Sequence, residues 1–156
     1  LECVQDYRTI RLPVGLVFAI TQVGQEIAMT IQLPSKRKLY YLAPRIVAGG
    51  RFNQPSLHYL DAKSGGKMVL TPTFGGKLTE NVVQAIARDC LCETLLKLEI
   101  LDYRAVLHVH DEVVLEAPAG SELQPVLDVM AEPISWAPGL VLRGDGFVTD
   151  EYYRKG

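Results

Sequence analysis

With 156 residues, 48% of them hydrophobic and 22% charged, the chain has the composition of a globular protein long enough for a substantial core. A net charge of −2 and a pI near 5.9 exclude a polycation, so nucleic acid could be met only through a local basic patch or with help from other parts of a larger protein. No apolar run reaches the ~18 residues of a membrane span, and the three cysteines, an odd number, argue against a disulfide framework and for a reducing, cytoplasmic setting.

The chain opens at Leu1-Glu2-Cys3, with no basic leader. Because Leu1 stands where an initiator Met is expected, the chain is expected to be a piece of a longer protein. Up to about residue 23 the pattern is weak: Pro13 and Gly15 interrupt a short helical stretch, and Val14 to Ile20 reads as an apolar strand. Glu26 to Leu33 alternates apolar and polar side chains, which predicts a half-buried strand. A basic turn, Pro34-Ser35-Lys36-Arg37-Lys38, leads to a partner strand at Leu39-Tyr40-Tyr41-Leu42, giving a hairpin with a cationic tip. Such a tip serves either to block edge-to-edge aggregation or to contact nucleic acid.

Residues 44–66 are rich in Gly, Pro, Asn and Ser, and read as loop with one short strand at Leu57-His58-Tyr59-Leu60, where His58, alone among apolar neighbours, reads as a structural histidine before a ligand. Met68 to Thr73 reads as a brief strand. From Lys77 the period changes: Leu78, Val82, Ile86, Cys90, Leu91, Leu95 and Leu98 recur at steps of three and four, which predicts one long helix from Lys77 to Ile100. Glu80 near its start suits the helix dipole, and Asp102 marks its exit. Cys90 and Cys92, two apart on this helix, point to different faces and make a poor metal pair. A second file, Lys77, Asn81, Gln84 and Arg88, follows another face. It is either the wet side of the helix or a set of amides and cations suited to reading bases and sugars.

Val106-Leu107-His108-Val109 and Val113-Val114-Leu115 read as two strands folded back at His110-Asp111-Glu112. Alternation places Leu107 and Val109 on one face, and Val106, His108 and His110 on the other. Tight hairpins favour Asn-Gly or Asp-Gly turns, whereas this one uses a histidine and two consecutive acids. Two adjacent carboxylates repel each other unless a cation neutralises them. The knuckle is therefore either a divalent-metal site or a solvated acidic turn. Beyond it, Ser121 is a predicted N-cap for a helix carrying Leu123, Val126, Leu127 and Met130, stopped by Pro133. Trp136-Ala137-Pro138-Gly139 reads as a rigid loop and Leu140-Val141-Leu142 as a last strand. The order of strands, long helix, hairpin, helix and strand predicts a single α+β unit over 1–156: a strand- and loop-rich part at 1–73, and helix, hairpin, helix and final strand at 74–156.

The stretch Val109-His110-Asp111-Glu112-Val113-Val114-Leu115-Glu116 resembles the last palm motif of family A DNA polymerases, the bacterial DNA polymerase I type. Residues 74–89, Leu33 to Tyr41, Trp136 to Leu140 and Asp145-Gly146-Phe147 are similar to the phage and prophage members of that family, so that the resemblance covers roughly Ile20 to Tyr153. It implies an antiparallel palm-like sheet with a catalytic hairpin and helices packed on one face. It implies that Asp111 and Glu112 are the catalytic and metal-binding acids, with two Mg²⁺ ions as cofactor stabilising the attacking and leaving oxygens of nucleotidyl transfer. His110, Gln84, Asn81 and Lys77 would contact the primer or duplex. Partners would be primer-template DNA, dNTP and the rest of the polymerase chain, with no membrane. The family's other metal-binding aspartate, in a Tyr-Ser-Gln-Ile-Glu-like run, and the fingers helix with its lysine have no match in this sequence. The resemblance thus implies a C-terminal palm fragment that is inactive in isolation.

Two rival readings come from the residues themselves. His108-x-His110, completed by Glu112 or His58, could form the zinc or iron site of a hydrolase or lyase. A non-catalytic nucleic-acid-binding or scaffold module derived from a polymerase is the other.

Overall fold

The structure is a computed structural model and describes residues 1–49, 54–63 and 65–151. The fold is α+β and divides into two compact units, 1–86 and 87–156, with the boundary inside a long helix.

In the first unit, a short helix α1 (Glu2–Gln5) precedes six strands: β1 (Ile10–Arg11), β2 (Val17–Val23), β3 (Glu26–Gln32), β4 (Lys38–Val47), β5 (Ser56–Ala62) and β6 (Met68–Thr73). They form one antiparallel sheet in simple chain order. The long helix α2 (Gly75–Ile100) follows. Alternation along the strands sends Met29, Ile31, Tyr41 and Leu57 to one face, where they join Cys3 of α1 and Val82 and Ala85 of α2. Ile31 and Leu33 are fully buried, and each such side chain contributes about 1.5–3 kcal/mol relative to exposure. The Tyr41 and Tyr59 rings meet edge to face at 5.0 Å. The basic turn forms between β3 and β4, with Lys36 at φ 72 and the Leu33 amide donating to the Arg37 carbonyl at 2.8 Å. Arg37 does not stand out as a free cationic tip, for its guanidinium donates to the Ala85 carbonyl of α2 at 2.7 Å.

The expected loop over 44–66 is largely strand. β4 continues through Pro44 to Val47, and β5 is seven residues long. Pro44 is tolerated because the ladder to β5 shifts register between Leu42 and Arg45, with Ala43 at φ 44. A bulge removes the need for the amide that proline lacks. Residues 50–53 and 64, also within that expected loop, lie outside the described residues. The first apolar strand begins three residues later than expected, at Val17.

The second unit holds the C-terminal part of α2, the hairpin β7 (Arg104–Val109) and β8 (Glu112–Glu116), and helix α3 (Gln124–Ala131). α2 carries the expected stripe, with Cys90, Leu91 and Leu98 buried, and ends one residue set beyond its stripe as predicted, at Ile100. No acid occupies its first turn; Glu80 instead binds Lys77 at 3.0 Å. Its exit is a left-handed cap at Asp102, φ 63, where the Tyr103 amide donates to the Leu98 carbonyl and the Asp102 amide to that of Glu99.

Two expectations fail here. Ser121 does not cap α3: its hydroxyl donates to the Pro118 carbonyl at 2.8 Å, and the N-cap position falls on Leu123 without a side-chain bond. Leu140 to Leu142 is not a strand; the segment has no regular secondary structure, and Val141 is exposed. The tail lies against α3 instead. A Cβ on Gly144 would come within 3.2 Å of Leu127 and Met130, and one on Gly146 within 3.3 Å of Leu123, so both glycines permit this close approach. The Trp136 indole donates to Glu93 at 3.0 Å and Lys97 pairs with Glu132 at 2.8 Å, tying the loop after α3 to α2.

Candidate functional site

The hairpin β7–β8 closes in two residues, because Val109 pairs with Glu112 and leaves His110 and Asp111 as the turn. His110 has φ 53, a conformation that costs an L-residue about 1–2 kcal/mol and is usually given to glycine. Histidine, with asparagine and aspartate, is among the side chains enriched there. Strained residues of this kind cluster at functional sites. Asp111 and Glu112 are both exposed, so two adjacent acids stand at a tightly closed tip.

Such hard oxygens suit Mg²⁺, which proteins commonly hold by one or two carboxylates with water and substrate phosphates completing the octahedron. Among the described residues no group of three or more His, Cys, Asp and Glu side chains could hold an ion. The hairpin thus offers one or two carboxylate ligands, and water or substrate phosphates would fill the other positions around a cation.

Alternation does not hold all along β7. The ladder shifts between Ala105 and Leu107, with Val106 as the extra residue, and the left-handed His110 leaves the strand geometry. The expected common face of Val106, His108 and His110 is accordingly broken at both ends. His108 is engaged elsewhere: the Arg88 guanidinium lies with its terminal nitrogens 3.1 Å from Nδ1 and 3.3 Å from Nε2. The two ring nitrogens diverge within the imidazole plane, so contact with both at once is that of a guanidinium laid across the ring. A cation in that position opposes a metal at His108, and His58 is bonded to Ser56. The His-x-His metal reading is not favoured.

On α2 the structure gathers Lys77, Asn81 and Gln84 as expected from their spacing, but not as equals. Gln84 is exposed and donates to Glu80 at 3.3 Å, within the same cluster as the Lys77 ammonium. Asn81 is half-buried, and its amide donates to the Tyr41 hydroxyl at 3.0 Å. Burial pushes the Tyr41 hydroxyl above its ordinary pKa, against the opposing effect of that bond. Two contacts escaped the sequence: Arg88 with His108, twenty residues apart, and Asn81 with Tyr41, forty apart. Only the polar file on α2 signalled that Arg88 had a role.

Over 146 residues, 93% of its length, the chain is 48% identical to a protein named DNA polymerase from Bacillus phage SP02. It spans 22% of that relative's length. No family model and no solved structure matches. Among the described residues, no helix is long and apolar enough to cross a membrane.

Proposed function

We propose that this chain is the C-terminal palm portion of a family A DNA polymerase of the phage subgroup, and that its hairpin supplies acids for two-metal nucleotidyl transfer. The observation that carries the reading is the two-residue turn: adjacent, exposed Asp111 and Glu112 on a tip held by a left-handed His110, in a chain 48% identical to a named phage DNA polymerase. Asp111 is the metal-ligating acid and Glu112 its supporting neighbour. Bound Mg²⁺ would supply Lewis-acid stabilisation of charge on the attacking and leaving oxygens. The chain's own residues orient the parts: His110 would contact the primer end and Gln84 of α2 the duplex, with Asn81 and Lys77 as supporting contacts. The Tyr41 bond makes Asn81 a positioning group as much as a contact. Substrates are primer-template DNA and dNTP, and the rest of the polymerase is the partner that supplies the second aspartate and the nucleotide site. The setting is cytoplasmic.

Manganese titration of the isotope-labelled chain separates this reading from its rival. Mn²⁺ should broaden the amide signals of His110, Asp111 and Glu112 first, and Asp111→Asn should abolish that selectivity. Broadening centred on His108 and His58, unchanged in Asp111→Asn, would return the site to the histidine-metal class.

A further inference from the structure

The six-stranded sheet has a second face, opposite the core, whose composition follows from its register. Arg11 pairs with Val17, Val17 with Gln32 and Gln32 with Lys38, so these four form one cross-strand row. The next row is Ala19, Thr30 and Tyr40, and the one beyond it Thr21, Ala28, Leu42, Leu60 and Leu70. Past the bulge, Arg45 pairs with His58 on the same face. Tyr40 is 53% exposed, whereas Thr30 beside it and Ala28 in the next row are buried at 2% and 0%, so the tyrosine ring is the open group over the closed middle of this face. Arg11, Lys38 and Arg45 are exposed, and none has an ion-pair partner among the described residues. The acid on this face, Glu26, pairs with Val23 in the next row, at the same end of the sheet as Arg45.

Charge is also divided along the chain. Residues 1–86 hold 10 of the 16 Lys and Arg and only 5 of the 18 Asp and Glu, a net charge of +5, whereas residues 87–156 carry −7. The modest total therefore conceals a basic unit.

We infer that this outer sheet face is a binding track for single-stranded DNA. Unpaired cations along a sheet, with an exposed aromatic ring between them, are what a flexible polyanion with unstacked bases requires: the cations follow phosphates and the ring takes a base face. Duplex DNA offers no free base face to Tyr40, and an apolar protein partner would leave three cations unanswered. The track uses none of the hairpin carboxylates and goes beyond the function proposed above.

The test is fluorescence anisotropy of a labelled oligothymidylate with the 156-residue chain, against a duplex competitor of equal length. The single strand should bind more tightly than the duplex. Tyr40→Ala should weaken binding about tenfold with the salt slope unchanged, and Tyr40→Phe should retain it. Lys38→Gln with Arg45→Gln should reduce the slope of log K against log salt by about 1.4. Arg143→Gln, which removes a cation from the acidic unit, should change neither. No binding, preference for the duplex, or an unaltered affinity in Tyr40→Ala would each overturn the assignment.

Discussion

Single residues set both the geometry of the tip and the stability of its surroundings. His110 and Asp102 each take the left-handed conformation without being glycine, but they differ in purpose. Asp102 only ends α2, so Asp102→Gly should relieve about 1 kcal/mol and raise the melting temperature by ~2–4 °C in thermal unfolding followed by circular dichroism. An unchanged or lower melting temperature would mean that the aspartate side chain stabilises the cap. Titration gives a second expectation. Burial raises the thiols of Cys3 and Cys90 and, before any other influence, the Tyr41 hydroxyl. Each group keeps its proton in the folded state to a higher pH than in the unfolded chain. Stability from this source is complete below the ordinary thiol value, about 8.5, and declines as the pH rises through the folded values. The urea midpoint should fall above that pH, and the fall should be shallower in Cys3→Ala with Cys90→Ala. An equal slope in the double variant would remove the thiols from the account.

At the scale of elements, what could be read in the sequence was what local pattern controls. The apolar steps from Leu78 to Leu98 specified α2, and the β-branched runs around His110-Asp111-Glu112 specified the hairpin and its turn. Proline misled at Pro44, since nothing in the sequence announces that the partner strand will bulge there. Leu140-Val141-Leu142 has strand composition, yet the glycines after it allow the tail to lie on α3. Ser121 was a reasonable cap by type, but its hydroxyl found the nearer Pro118 carbonyl. Contacts between distant segments were not legible, and Asn81 with Tyr41 is the instructive case. Losing one such part-buried bond costs about 0.5–1.5 kcal/mol. Tyr41→Phe should therefore lower unfolding stability by that amount, and Asn81→Ala in the same background should add little further. Additive losses would show that the two side chains act independently.

At the scale of the whole molecule, the central claim is that the hairpin's acids belong to a catalytic centre whose other half is contributed by sequence not matched here. Positioning can supply ~7–11 kcal/mol of a reaction barrier, and it is unavailable when one of two bridging acids and the nucleotide site are missing. The chain corresponds to 22% of the phage polymerase it resembles, which makes the most direct measurement a replacement. The matched stretch of that polymerase is exchanged for residues of this chain, and primer extension with Mg²⁺ is followed beside the isolated chain. The chimera should extend the primer, Asp111→Ala within it should abolish extension while primer-template binding persists, and the isolated chain should add no nucleotide. Extension by the isolated chain, or by the chimera carrying Asp111→Ala, would contradict the account.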